Sequence, residues 1–350
     1  MPDERDRSVG QSEPPAGERI LLGHGSGGRL YRDLVQDVFV AAFANPILQR
    51  LDDAATLATS GRIAFTTDAH VVQPLRFSGG DIGRLAVAGT VNDLATAAAR
   101  PLALATAFVI EEGFAIDELR SLCASMAATA AEAGVPIVTG DTKVVQRGAC
   151  DGLYITTTGV GEIVVAHELG TGSVREGDAV LLSGSVGDHA MAVLAARQEF
   201  SFTSDVTSDC APLWSLVEGL VAACGDQLRF LRDPTRGGIT TVLAELAEGA
   251  ALGVEVVEEA IPVSAAVRSI CDLLGYDPLV LANEGKMLAV VGEEAADNAL
   301  SALKAHPLGR QAARIGVVTS AHLGRVALRT AFGTRRVLDM PVGELLPRIC

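Results

Sequence analysis

The stretch Ile116–Thr142, IDELRSLCASMAATAAEAGVPIVTGDT, decides the fold class. Leu119, Leu122, Cys123, Met126, Ala127 and Ala130 recur at three- and four-residue steps, which predicts a helix over 116–133 with one apolar face. Gly134 stands where a left-handed helix terminator belongs, and Pro136 forbids continuation. The apolar run 136–139 then predicts a short strand, closed by a turn at Gly140-Asp141-Thr142. A helix delivered directly into a strand is the unit of an α/β or α+β chain.

The same alternation continues outward in both directions. Strands are predicted at 63–67, 102–110, 153–158, 179–183 and 286–291, and helices at 30–44, 189–197 and 237–249. The turn-rich LGTGSVREGD, 169–178, joins two halves, and 350 residues suit two domains of ordinary size. The expected division is a disordered polar extension at 1–19, an N-terminal domain at 20–168, a C-terminal domain at 169–337 and an extended or mobile tail at 338–350.

Composition excludes several classes. Hydrophobic residues make up 49% but aromatics only 4%, so the core is aliphatic. No apolar run approaches the roughly 20 residues that span a bilayer, and the first residues lack the apolar stretch of a signal peptide. A net charge of −15 without any Lys/Arg cluster argues against nucleic acid. Six widely spaced cysteines form no C-x-x-C pair, which argues against a zinc cluster or redox dithiol, and with no export signal a cytoplasmic setting with reduced thiols is expected.

Candidate chemistry lies at element ends. The segment Gly23-His24-Gly25-Ser26-Gly27-Gly28 runs into a predicted helix, where backbone N–H groups can cradle phosphate. It matches neither the Walker nor the Rossmann spacing, and a plain flexible loop is the competing reading. Asp52 and Asp53, Asp68, Asp93 and Asp141 follow apolar runs, all read as loop positions. Carboxylates there can converge on Mg²⁺ and nucleotide phosphates, although each alone suits a cap or a turn. Asp233-Pro234-Thr235-Arg236-Gly237-Gly238 opens a helix, with Arg236 able to pair an anion and the glycines exposing N–H groups. Lys143 and Glu284 sit beside apolar strands as acid/base candidates, against the common case of solvated charges. Cys350 carries thiol and carboxylate on the last residue, a position suited to a swinging carrier.

Taken in order, GHGSGG at Gly23, TTDAHVVQPLRFSGGDIGRLAVAGTVNDLA from Thr66, IVTGDTKVVQRG from Ile137, DPTRGG at Asp233, ANEGK at Ala282 and the closing PRIC resemble the HypE family of hydrogenase maturation factors. The resemblance runs from about Leu21 to Cys350. It implies a two-domain fold like that of aminoimidazole ribonucleotide synthetase, a homodimer formed through the N-terminal domains, and Mg²⁺ with ATP near the interface. It further implies metal ligands at Asp53, Asp68, Asp93 and Asp141, with Asn92 and the loop Gly25, Ser26, Gly27, Gly28 at the nucleotide.

The reaction implied is a carbamoyl dehydration. A carbamoyltransferase, HypF, loads a carboxamide onto Cys350; ATP-dependent dehydration turns it into a thiocyanate; cyanide passes to iron on a HypC–HypD complex. Lys143 and Glu284 become base candidates, with Asp233 and Arg236 positioning tail or phosphate. Two alternatives remain at this point. One is another ATP-using enzyme of the same fold, of selenophosphate synthetase or thiamine-phosphate kinase type, although no cysteine precedes Cys123 near the glycine-rich loop. The other is a non-catalytic thiol carrier.

Overall fold

The computed structural model describes residues 19–25, 29–50, 57–197, 205–341, 346, 348 and 349. Ser26, Gly27, Gly28, Asp52, Asp53 and Cys350, all singled out above, lie outside the described residues.

The first half is built on a four-stranded sheet of β1 (Ile63–His70), β2 (Ala99–Glu111), β3 (Ile137–Val145) and β4 (Leu153–Ile163), in the order β1-β4-β2-β3. Helices α1 (Ile82–Thr96) and α2 (Ile116–Ala133) accompany it, and a helical stretch from Arg29 to Phe43, predicted at 30–44, packs on it through Phe39 against Phe108. β2 and β3 run parallel and therefore need a crossover, which is α2, the helix predicted at 116–133. Gly134 ends it at φ 68°, in the left-handed region where a Cβ is costly. The turn expected at Gly140-Asp141-Thr142 is absent. The strand continues to Val145 because its ladder with Thr106–Glu111 carries through these residues, and extended pairing overrides the local turn signal.

Helix α1 was not among the predicted elements. It is buried on nearly every side, packed between the first sheet, α2 and the second half of the chain. Such a helix has no polar face, so it has no 3.6-residue period to detect. Its start is well defined: the Asp81 carboxylate accepts the Arg84 N–H at 2.8 Å.

The second half carries β5 (Ala179–Leu182), β6 (Leu228–Arg232), β7 (Gly253–Val257), β8 (Leu288–Val291), β9 (Ala313–Thr319), β10 (Val326–Arg329) and β11 (Arg335–Leu338). Their order is β11-β10-β7-β9-β5-β8-β6, antiparallel throughout except β10 with β7. Helices α3 (Asp188–Ala196), α4 (Trp214–Cys224), α5 (Gly238–Ala250), α6 (Ala265–Leu274) and α7 (Ala296–Ala305) accompany it. Buried β5 and β8 read as continuous aliphatic runs, as strands covered on both faces do. Among the described residues, no helix is long and apolar enough to cross a membrane.

Candidate active site

The register of the first sheet sorts the aspartates. Asp68, Thr157, Thr106 and Gly140 share one row across it, and Ala69, Thr156, Ala107 and Asp141 share the next. Adjacent rows project to opposite faces, and β1 and β3 are the two edges, about 14 Å apart at the usual strand spacing. Asp68 therefore faces α1 and Asp141 faces away from it. Asp68 and Asp141 lie inside strands, and Asp93 lies on α1, so none of the three occupies the loop position expected of it.

One group forms under α1. Asp93 accepts a 2.7 Å hydrogen bond from the Thr66 hydroxyl, and His70 Nε2 lies 3.6 Å from the Asp68 carboxylate. A methyl group placed on Gly89 of α1 would meet His70 Cε1 at 3.2 Å, Asp68 Oδ2 at 3.3 Å and Glu284 Oε2 at 4.0 Å. Gly89 thus marks where three elements converge. Burial raises the Asp93 pKa against the Thr66 bond, with the charge of Asp68 adding to the rise. Burial, helped by Asp93, pushes Asp233 up to about 7. Glu284 rises well above the carboxylate range through burial and then through Asp233, Asp209, Asp68 and Asp93. His70 is lowered by burial, opposed by Asp68.

The Asp233–Gly238 loop closes this group from the second half. Asn283 donates to the Pro234 carbonyl at 2.9 Å and so ties ANEGK to DPTRGG. Gly237 and Gly238 adopt φ of 76° and 59°, and a Cβ on Gly238 would lie 2.5 Å from the Leu279 carbonyl oxygen. Left-handed backbone and close approach explain the pair more directly than exposed N–H groups do. Exposed Arg236 lines a cavity of about 560 Å³ together with Asp68, Val71, Leu346, Arg348 and Ile349.

The described tail residues form part of that cavity's wall. The sequence reads the tail as extended or mobile, yet its described residues are docked. Ile349 is 5% exposed and belongs to the core. Arg348 donates to the Val71 carbonyl at 3.0 Å, pairs with Asp151 and lies over the Tyr154 ring. Cys350 follows directly in sequence.

Two expected residues stand elsewhere. Lys143 projects from the same face of β3 as Asp141 and pairs with it at 3.2 Å, so within one chain it does not meet Glu284. The turn Leu22–Gly25 packs beside β3 as well. Asn92, expected at the nucleotide, is instead buried in the seam between the halves. It donates to the Ala211 and Glu284 carbonyls, both at 3.2 Å, and accepts the Leu213 N–H at 2.8 Å.

Sequence reasoning passed over His70, His189 and Lys286. Lys286, inside the quoted ANEGK, forms a buried ion pair with Asp209 at 3.0 Å. His70 lies in the quoted TTDAH, two residues from Asp68, and that proximity was the available signal.

Among the described residues no cluster of three metal-capable groups forms. Asp68 and Asp93 nevertheless fit a hard cation. Burial lifts the proton affinity of Asp93, and buried Glu284 Oε1 has no hydrogen-bond partner.

Residues 51–163 match the AIR synthase related N-terminal domain and residues 175–329 the corresponding C-terminal domain. The carbamoyl dehydratase HypE of Rhodobacter capsulatus is 49% identical over 336 residues, covering 95% of this chain and 98% of its own. The chain belongs to the HypE family. A HypE structure in complex with ATP superposes with a TM-score of 0.91 at 49% identity, covering 94% of this chain and 99% of its own. The HypE of a HypE–HypF complex superposes at 0.78 with 45% identity, covering 88% and 99%.

Proposed function

We propose that this chain is an ATP-dependent carbamoyl dehydratase whose substrate is a carboxamide on its own Cys350 sulfur, and that the thiocyanate formed supplies cyanide for the iron centre of NiFe-hydrogenase. The observation that carries this reading is the docked tail. Arg348 and Ile349 are held in the wall of the same cavity as Asp68 and Arg236, and residue 350 is the next in the chain.

The carboxamide oxygen is a poor leaving group until it is phosphorylated. Transfer of the γ-phosphoryl group of ATP to it gives an imidoyl phosphate, and loss of phosphate with the remaining N–H proton leaves the nitrile. The oxygen removed as water thus ends in inorganic phosphate. Glu284 suits removal of an amide proton, because burial raises the proton affinity of its carboxylate. Arg236 offers a guanidinium to the phosphoryl oxygens, and Asp233 orders the loop that presents it. Mg²⁺ at Asp68 and Asp93, with Asp53, would neutralise phosphate charge.

The second half of the machinery, Gly25, Asp141 and Lys143, lies at the opposite edge and on the outer face of the sheet. A homodimer joined through that outer face would bring one chain's Asp141 and Lys143 to the β1 edge of its partner's sheet, the strand that carries Asp68. Phe65 at 70% and Ile63 at 52% exposure support this, since among the described residues the face displays these apolar side chains to solvent. HypF as the carbamoyl donor and a HypC–HypD complex as the cyanide acceptor complete the proposal. Five unpaired buried cysteines agree with a reducing cytoplasm.

The test is intact mass. The chain carbamoylated at Cys350 is expected to lose the mass of one water from its C-terminal peptide when Mg-ATP is added. A carbamoyl group that persists, or one lost without ATP, overturns the reading. Cys350→Ala should fold and bind ATP but accept no carbamoyl group.

A further inference from the structure

His189 lies on α3, is fully buried, and has no part in the phosphoryl chemistry described above. Its Nδ1 is 2.9 Å from the Ser208 hydroxyl and its Nε2 is 2.9 Å from the Ile349 carbonyl oxygen. The tautomer follows from the partners. Ser208 Oγ already accepts the Cys210 N–H at 3.1 Å, which leaves its own proton for His189 Nδ1. Nδ1 is then the acceptor, and Nε2–H donates to the carbonyl, which can only accept. Burial lowers the His189 pKa and agrees with this neutral form.

The preceding carbonyl is held as well. The Arg348 oxygen accepts from the Gln73 N–H at 3.2 Å and from the Arg197 guanidinium at 2.8 Å, with Arg197 directly after α3. Both contacts read backbone and not side chain. A peptide unit is planar, so fixing its oxygen also fixes the α-carbon that follows.

We propose that His189 and Arg197 are positioning residues for the reacting sulfur, pinning the two successive peptide planes that lead into residue 350. The Ile349 peptide plane runs to the α-carbon of residue 350, so fixing that plane fixes the point from which the sulfur is carried. Holding the tail by main-chain oxygens also leaves the sulfur free to carry different groups through the cycle. This inference rests on the assignment of Cys350 as the carrier. It is tested without turnover, so that its failure is separate from failure of the dehydratase reading, which the water-loss measurement decides.

The bond between residues 349 and 350 contains the carbonyl that His189 holds, and carboxypeptidase Y must reach that carbonyl to release Cys350. The probe is the rate of that release, followed by intact mass on the full-length chain. The five other thiols, with Cys123 pushed up to about 12 by burial, serve as a DTNB control for an intact core. His189→Leu is expected to raise the trimming rate roughly tenfold, the effect of leaving a buried carbonyl unpaired, with those five thiols still silent. His189→Gln, which can offer a donor in place of Nε2–H, should restore part of the protection. Should His189→Leu fail to fold, Arg197→Ala, at a half-buried position, is expected to trim about threefold faster. A parent chain trimmed as fast as a free LPRIC peptide, variants trimmed at the parent rate, or trimming that rises only in step with exposure of the buried thiols would each overturn the proposal.

Discussion

Asp233 shows how a single buried carboxylate couples the site to pH. Its folded pKa of about 7 lies above the ordinary 3.8, so the folded chain holds the proton more tightly than the unfolded chain. The stability this contributes is complete below about pH 4 and is lost as pH rises through 7, a loss on the order of a few kcal/mol. Asp233→Asn is therefore expected to flatten the fall in thermal midpoint between pH 5 and pH 8, measured by calorimetry. Asp93 and Glu284 shift in the same direction, so part of the slope remains. A cation that takes the proton's place should recover stability on the alkaline side. Millimolar Mg²⁺ is expected to raise the midpoint at pH 8 in the parent chain but not in Asp93→Asn.

At the scale of elements, the helix-opening loop 233–238 is the most demanding piece of backbone. Gly238→Ala would force a Cβ against the Leu279 and Leu281 carbonyl oxygens at 2.5 and 2.7 Å, and at positive φ. A cost of about 3 kcal/mol is expected in urea unfolding. ATP affinity should fall too, because Arg236 sits in the same loop.

How far the sequence could be read follows from the same elements. α2 was legible because one face is apolar and Gly134 with Pro136 stops it. α1 was not, because it is buried all round and its apolar positions have no period. The DPTRGG and ANEGK motifs were legible as chemistry, and they do meet, through Asn283 and Pro234. The separation of Asp68 from Asp141 was invisible. Both end apolar runs, and only the sheet register shows that they point to opposite faces. Asn92 misled through its neighbour Asp93, since adjacent residues on a helix project in different directions.

For the whole molecule, the proposed dimer rests on the outer face of the first sheet. The parent chain is expected to sediment as a dimer at micromolar concentration and Phe65→Glu as a monomer, with the far-ultraviolet circular dichroism unchanged. If Asp141 and Lys143 act across the dimer, the monomer should also lose most of its ATP affinity by calorimetric titration. A mixture of Asp141→Asn and Asp68→Asn chains should recover about a quarter of the parental sites, as random pairing leaves one intact site in half of the dimers.

The three hydrogen bonds of Asn92 stitch α1 to the Ala211–Leu213 and Glu284 backbone of the other half. Walls joined this way do not swing apart without breaking buried bonds, so the two described halves do not act as a jaw over the substrate. Under the proposed function the molecule works as a lock with a captive key. The slot is cut once, when the chain folds, and the pace of turnover is expected to follow how often the Cys350 end is threaded in and withdrawn. Solvent viscosity and the length of residues 339–349 are then the variables expected to tune the rate, and deleting two residues from that segment is expected to abolish water loss from a carbamoylated Cys350, read by intact mass.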